Sequence, residues 1–294
     1  MTSKRDSLIS DREIISRMSS WVTSARAETL EDMAFFSGAA LAQLHLALGG
    51  HEVPHALLRD RLALRTAQAC TAFAGRPEGE KEVRDAVHLV RDGDLPGPVG
   101  DIYLSWRCAV ERPVSIGGLG RAFPGLEDTQ IARWLDAGQG APVTRAATVL
   151  ETVLMHVPHS DVPALVLADA ALAQALGWKH LLPLLSCGLK RADLRKRGED
   201  LRLACHRAVI TSAGEAVRLS SDLTRRAARL RAVAPKLRAK GAGQAVEIFL
   251  SRDAVAPWAL PLPDRAARRL CDRLVALDVV RELTGRDTFR LYGV

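Results

Sequence analysis

A chain of 294 residues with 48% hydrophobic but only 4% aromatic side chains must build its core from Leu, Ala and Val. That balance favours packed helices over sheets, and the length favours two domains over one. The net charge of +7 is unevenly spread: residues 190–294 hold 23 Lys plus Arg against 12 Asp plus Glu, and subtraction from the totals of 41 and 34 leaves 18 against 22 before them.

The surplus of cations in the last third is the mark of a polyanion-binding end, although an arginine-rich coding bias leaves the same imprint. No apolar run reaches the roughly 20 residues of a bilayer crossing, and the first residues lack the apolar stretch of a signal peptide. A cytoplasmic protein away from membranes is expected. Cys70, Cys108, Cys187, Cys205 and Cys271 are far apart and form no CxxC or Cys/His spacing, so they read as structural thiols, with no metal site.

In chain order, Ile14, Ile15, Met18 and Val22 recur at helical spacing and predict a first helix over 11–26. A nearly buried helix follows over 28–48, stopped by Gly49 and Gly50, and another over 54–74, with Leu58, Leu62, Ala69 and Phe73 on one face. Helices are predicted over 80–90 and 101–110, with a break at 91–98 between them. The segment 113–125 holds four glycines and two prolines and is predicted as a loop. It follows no strand and lacks the order GxxxxGK[ST], so it reads as a connection and not a phosphate cradle. Further helices are predicted over 129–136, 142–156, 162–176, 181–195 and 199–230. The result is an all-α, irregular helical bundle over 1–234.

From residue 235 the pattern changes. Residues 243–250 predict a helix burying Ala245, Val246, Phe249 and Leu250, and 253–258 a short turn. Pro261 and Pro263 precede a helix over 264–277 whose apolar face is Ala267, Leu270, Cys271, Leu274 and Leu277. Two β-type runs, 279–283 and 288–292, flank a turn in which Gly285 supplies positive φ. Read together, 235–294 is a winged helix-turn-helix, with the helix over 264–277 fitting the major groove of duplex DNA. The expected DNA contacts are Arg265, Arg268, Arg269 and Arg273 from that helix and Arg286 and Arg290 from the wing.

The segments 235–242, 264–274 and 281–293 resemble the helix-turn-helix tail of an uncharacterised bacterial group related to Fic proteins. The chain as a whole, through 34–40 and 54–62, is similar to one such family of unknown function. The resemblance implies a degenerate Fic-like bundle. Fic enzymes transfer a nucleotidyl group with the motif HPFxxGNGRxxR, whose expected place is 153–165. There the chain offers His156 and His159 but no glycine, asparagine or arginine, so no transferase activity and no cofactor are expected. His51 and His55 lack the carboxylate of HExxH, His180 and His206 stand alone, and GxSxG is absent.

These features predict a non-enzymatic DNA-binding protein, a transcriptional or mobile-element regulator acting as a homodimer. The alternatives are a protein-docking module with a structural winged helix, and a residual nucleotide-binding protein.

Overall fold

A computed structural model describes residues 17–23, 29–90, 93–157, 160–237 and 240–294. Among them the first half runs α1 (Ser20–Thr23), α2 (Leu30–Leu48), α3 (His55–Phe73), α4 (Glu80–His88), α5 (Gly97–Glu111), α6 (Ile116–Ala122) and α7 (Asp128–Asp136). The second half runs α8 (Pro142–His156), α9 (Asp161–Ala175), α10 (Leu185–Gly188), α11 (Gly198–Val233), α12 (Ala242–Phe249) and α13 (Asp264–Ala276), followed by β1 (Arg281–Glu282) and β2 (Tyr292–Gly293). This is the all-α class that an aliphatic, aromatic-poor composition implies. No helix of the described residues is long and apolar enough to cross a membrane.

Two helices organise the interior. α9 buries every residue from Ala164 to Ala173, so it is apolar all round, the pattern of a helix enclosed by others. α11 has 36 residues and is therefore about 54 Å long at 1.5 Å per residue. It runs as a spine against α2, α3, α8 and α10, while α8 lies on α9 and α3 on α5.

Asp169 explains how the centre tolerates a carboxylate. It is fully buried, and its Oδ1 accepts from the backbone amides of Leu184 (3.0 Å) and Leu185 (2.9 Å) while Oδ2 accepts from Ser186 Oγ (2.7 Å). It thus caps α10 from a neighbouring helix, satisfying amides that the short helix leaves bare. Burial nevertheless pushes its carboxyl up to about 6, against the pull of those hydrogen bonds.

Several sequence expectations need correction. The predicted loop over 113–125 contains α6. Ser115 caps it, its Oγ accepting from Gly118 N at 3.1 Å, and Leu119 and Ala122 are buried. Anchoring by those two side chains outweighs the helix penalty of its glycines. A Cβ at Gly120 would stand 2.6 Å from Asp128 Oδ1 of α7, whose side chain would have to shift. The predicted helix over 181–195 shrinks to α10 and a 3-10 turn, Asp193–Arg195. Pro183 disfavours helix ahead of α10, and Gly188 at its end passes so close to α11 that a Cβ would collide with the Ala208 backbone. Of the helix expected over 11–26, only α1 lies within the described residues, together with 17–19 and the buried Met18.

The boundary expected at 234/235 falls within a 3-10 turn, Ala234–Lys236, that continues directly from α11. One cluster of buried side chains runs across it, from Leu165 and Leu223 to Phe249, Leu270 and Tyr292.

Candidate functional site

The carboxyl-terminal segment assembles around β2. Tyr292 exchanges two backbone hydrogen bonds with Val255, at 2.8 and 2.9 Å, and lies opposite Glu282 of β1 on its other side. The ladder is shorter than the β-type runs 279–283 and 288–292 predict: the named strands have two residues each, extended by Leu283 N to the Leu291 carbonyl at 2.8 Å. Phe289 has a left-handed φ of 54° and turns the chain out of line, while Gly285 takes positive φ at 63°. Gly293 allows β2 to pass against Asp253, because a Cβ there would collide with the Asp253 carbonyl oxygen.

Between Val255 and β1 lie a 3-10 turn, Pro257–Ala259, and α13. Ala267, Leu270, Cys271 and Leu274 anchor α13 as their spacing predicts. Leu277 departs from that face and is 44% exposed, because the helix has ended at Ala276 and the chain turns at Asp278, whose φ is 54°.

The six arginines expected to meet DNA fall into two groups. Arg265, Arg268, Arg269 and Arg273 are exposed on α13. Arg268 pairs with Asp264 one turn back, at 3.1 and 3.2 Å. Arg265, Arg269 and Arg273, at i, i+4 and i+8, have no carboxylate partner among the described residues. The hairpin pair is engaged differently. Arg286 Nη2 lies 2.6 Å from Asp85 Oδ2 of α4, and Arg290 Nε donates to the Arg286 carbonyl at 2.9 Å.

A buried ionic joint, which sequence reasoning missed, holds this segment to the bundle. Asp253 has no exposure; Arg84 of α4 donates from Nε to its Oδ2 at 2.5 Å, and Arg61 of α3 contacts its Oδ1. The Asp253 amide donates to Asp60 Oδ2 at 2.8 Å, and Arg107 of α5 approaches Asp60 at 3.8 Å. Burial raises the Asp60 carboxyl above its ordinary value. Burial also works against the Arg84 charge, but its hydrogen bonds to Asp253 and the neighbouring carboxylates outweigh this and the net shift is upward. Beside them, burial and then Arg107 push His88 down to about 4, so it is neutral at pH 7. Arg84 and Asp253 are 169 residues apart, a separation no local pattern can bridge. The only hint was a lone carboxylate ahead of the apolar run Ala254–Val255–Ala256.

Two exposed aromatics sit on the same segment. Trp258 and Phe289 are 54% and 67% exposed, edge to face with ring centroids 6.5 Å apart.

The remaining candidates take ordinary places. Burial pushes the thiols of Cys70, Cys187 and Cys271 up to about 12, and all five cysteines are free, in keeping with structural thiols. His206 is buried and bonded to Ser37 Oγ at 2.7 Å, whereas His51 and His55 are exposed. His156 is exposed and bonded to the Thr152 carbonyl; His159 lies outside the described residues.

A family model described as "Protein of unknown function (DUF1403)" matches residues 6–294. No curated protein matches the chain.

Proposed function

The chain belongs to the DUF1403 family, and from the geometry of its last sixty residues we propose that it binds duplex DNA through α13. The observation that carries this reading is the stripe Arg265–Arg269–Arg273, exposed and without carboxylate partners among the described residues. Like charges at i, i+4 cost a helix a few tenths of a kcal/mol per pair and add nothing to the fold. Eight residues of helix place the outer two about 12 Å apart, the scale of a major groove, where guanidinium forks bond guanine O6 and N7 or bridge phosphates.

The order of elements supports the same reading. A helix, a single bridging residue, a short turn, an exposed helix and a two-stranded ladder follow one another as in a winged helix-turn-helix, with the second helix reduced to the 3-10 turn Pro257–Ala259. In this reading Arg286 and Arg290 flank the groove, the protein acts as a regulator, and two copies meet a two-fold DNA site. The Fic-like resemblance contributes only a helical scaffold.

The test is fluorescence anisotropy with duplex oligonucleotides across a salt series. With all four α13 arginines on phosphates, log K per bound copy falls against log salt with a slope near −3.6, at about 0.9 per phosphate contact. Arg269→Ala should weaken binding about tenfold and flatten the slope by about one. Binding that ignores salt overturns the reading.

A second reading is favoured by one observation. Trp258 and Phe289, exposed and edge to face, give the segment an apolar spot suited to docking a protein. In that case Trp258→Ala abolishes partner capture, and Arg269→Ala does not.

A further inference from the structure

Beside β1, α11 and the carboxyl-terminal segment border a partly open cleft of about 290 Å³. Arg225, Arg226 and Arg229 of α11 line it on one side and Arg281 of β1 on the other, with Asp222 and Asp278 as its two carboxylates. Asp222 is shared between Arg226, at 2.9 Å, and Arg225, at 3.6 Å. Arg229 and Arg281 have no ion pair among the described residues. Four guanidinium groups against the carboxylates of Asp222 and Asp278, with Val279 and Val294 completing the lining, leave the cleft net positive, which favours an anion there.

We propose that this cleft binds a small phosphate-bearing molecule. Planar guanidinium forks match phosphate oxygens in pairs, whereas an apolar ligand would gain little from such a lining. The volume lies at the lower end of ligand sites. It takes a diphosphate with a few further atoms. Because Arg225, Arg226 and Arg229 come from the spine helix and Arg281 from the ladder, a bound phosphate ties the two together, and it stabilises the folded chain by mass action. The proposal is independent of DNA binding by α13.

The probe is inorganic pyrophosphate, followed by titration calorimetry and thermal unfolding at constant ionic strength. The expected result is saturable binding tighter than about 1 mM, with a rise in Tm that sodium chloride does not reproduce. Arg229→Ala combined with Arg281→Ala should weaken it at least tenfold while the circular dichroism spectrum is unchanged, since both side chains are exposed. Arg269→Ala should leave it intact, whatever it does to DNA binding. Absence of saturable binding, or equal binding by the double variant, overturns the proposal. So does a double variant that loses affinity for duplex DNA when wild-type protein shows none for pyrophosphate, which would assign these arginines to the DNA backbone.

Discussion

Asp169 and His88 answer to pH in opposite directions. The Asp169 carboxyl stands at about 6 in the folded protein, above its ordinary value near 3.8. Its contribution to stability is therefore full below about pH 3.8 and is lost as pH rises through about 6. His88 stands at about 4, below its ordinary 6.5. Its contribution is full above about pH 6.5 and is lost as pH falls through about 4. The two therefore oppose each other in a stability curve across this window. Asp169→Asn removes one limb. Urea midpoints taken between pH 4 and pH 7 should then rise with pH more steeply than in wild type, and parallel curves for the two proteins would refute the assignment.

At the scale of elements, α4 and the ladder are linked where they meet. Arg286 is held by Asp85, a half-exposed pair worth at most about 1 kcal/mol to the fold. Removing the carboxylate should matter more for binding than for stability. If α13 lies in a DNA groove, Asp85→Ala frees one more guanidinium for a phosphate, so that affinity rises several-fold at low salt and the salt slope steepens by about 0.9. Anisotropy with the same duplexes reads both quantities, and an unchanged slope would remove Arg286 from the interface. The legibility of elements followed their length and regularity. α8 and α11 were readable almost to the residue, because long runs with one apolar stripe admit only one solution. α6 was not, since its glycines argue for a loop and only its cap and two buried side chains reverse the balance. The exposed arginines of α13 followed from the 3.6-residue period, whereas the engagement of Arg286 depends on a partner 201 residues away.

For the whole molecule, the decisive contact is Asp253 between Arg61 and Arg84. Two guanidinium groups and a carboxylate withdrawn from water are tolerable only together. Asp253→Ala should cost about 3–5 kcal/mol in urea denaturation, because it leaves two partly buried cations without an anion. The same variant should expose the last sixty residues to trypsin before the bundle unfolds. Loss of stability with no change in cleavage order would place the damage elsewhere.

The joint also bears on how the chain can change over generations. A recombination event that exchanged the last sixty residues for those of a distant relative would set foreign side chains opposite Arg61 and Arg84. Most such hybrids would be lost before their new surface was ever tried. A substitution at 61, 84 or 253 is thus tolerable only with a matching change at the others, while the exposed arginines of α13 can be replaced without disturbing that joint.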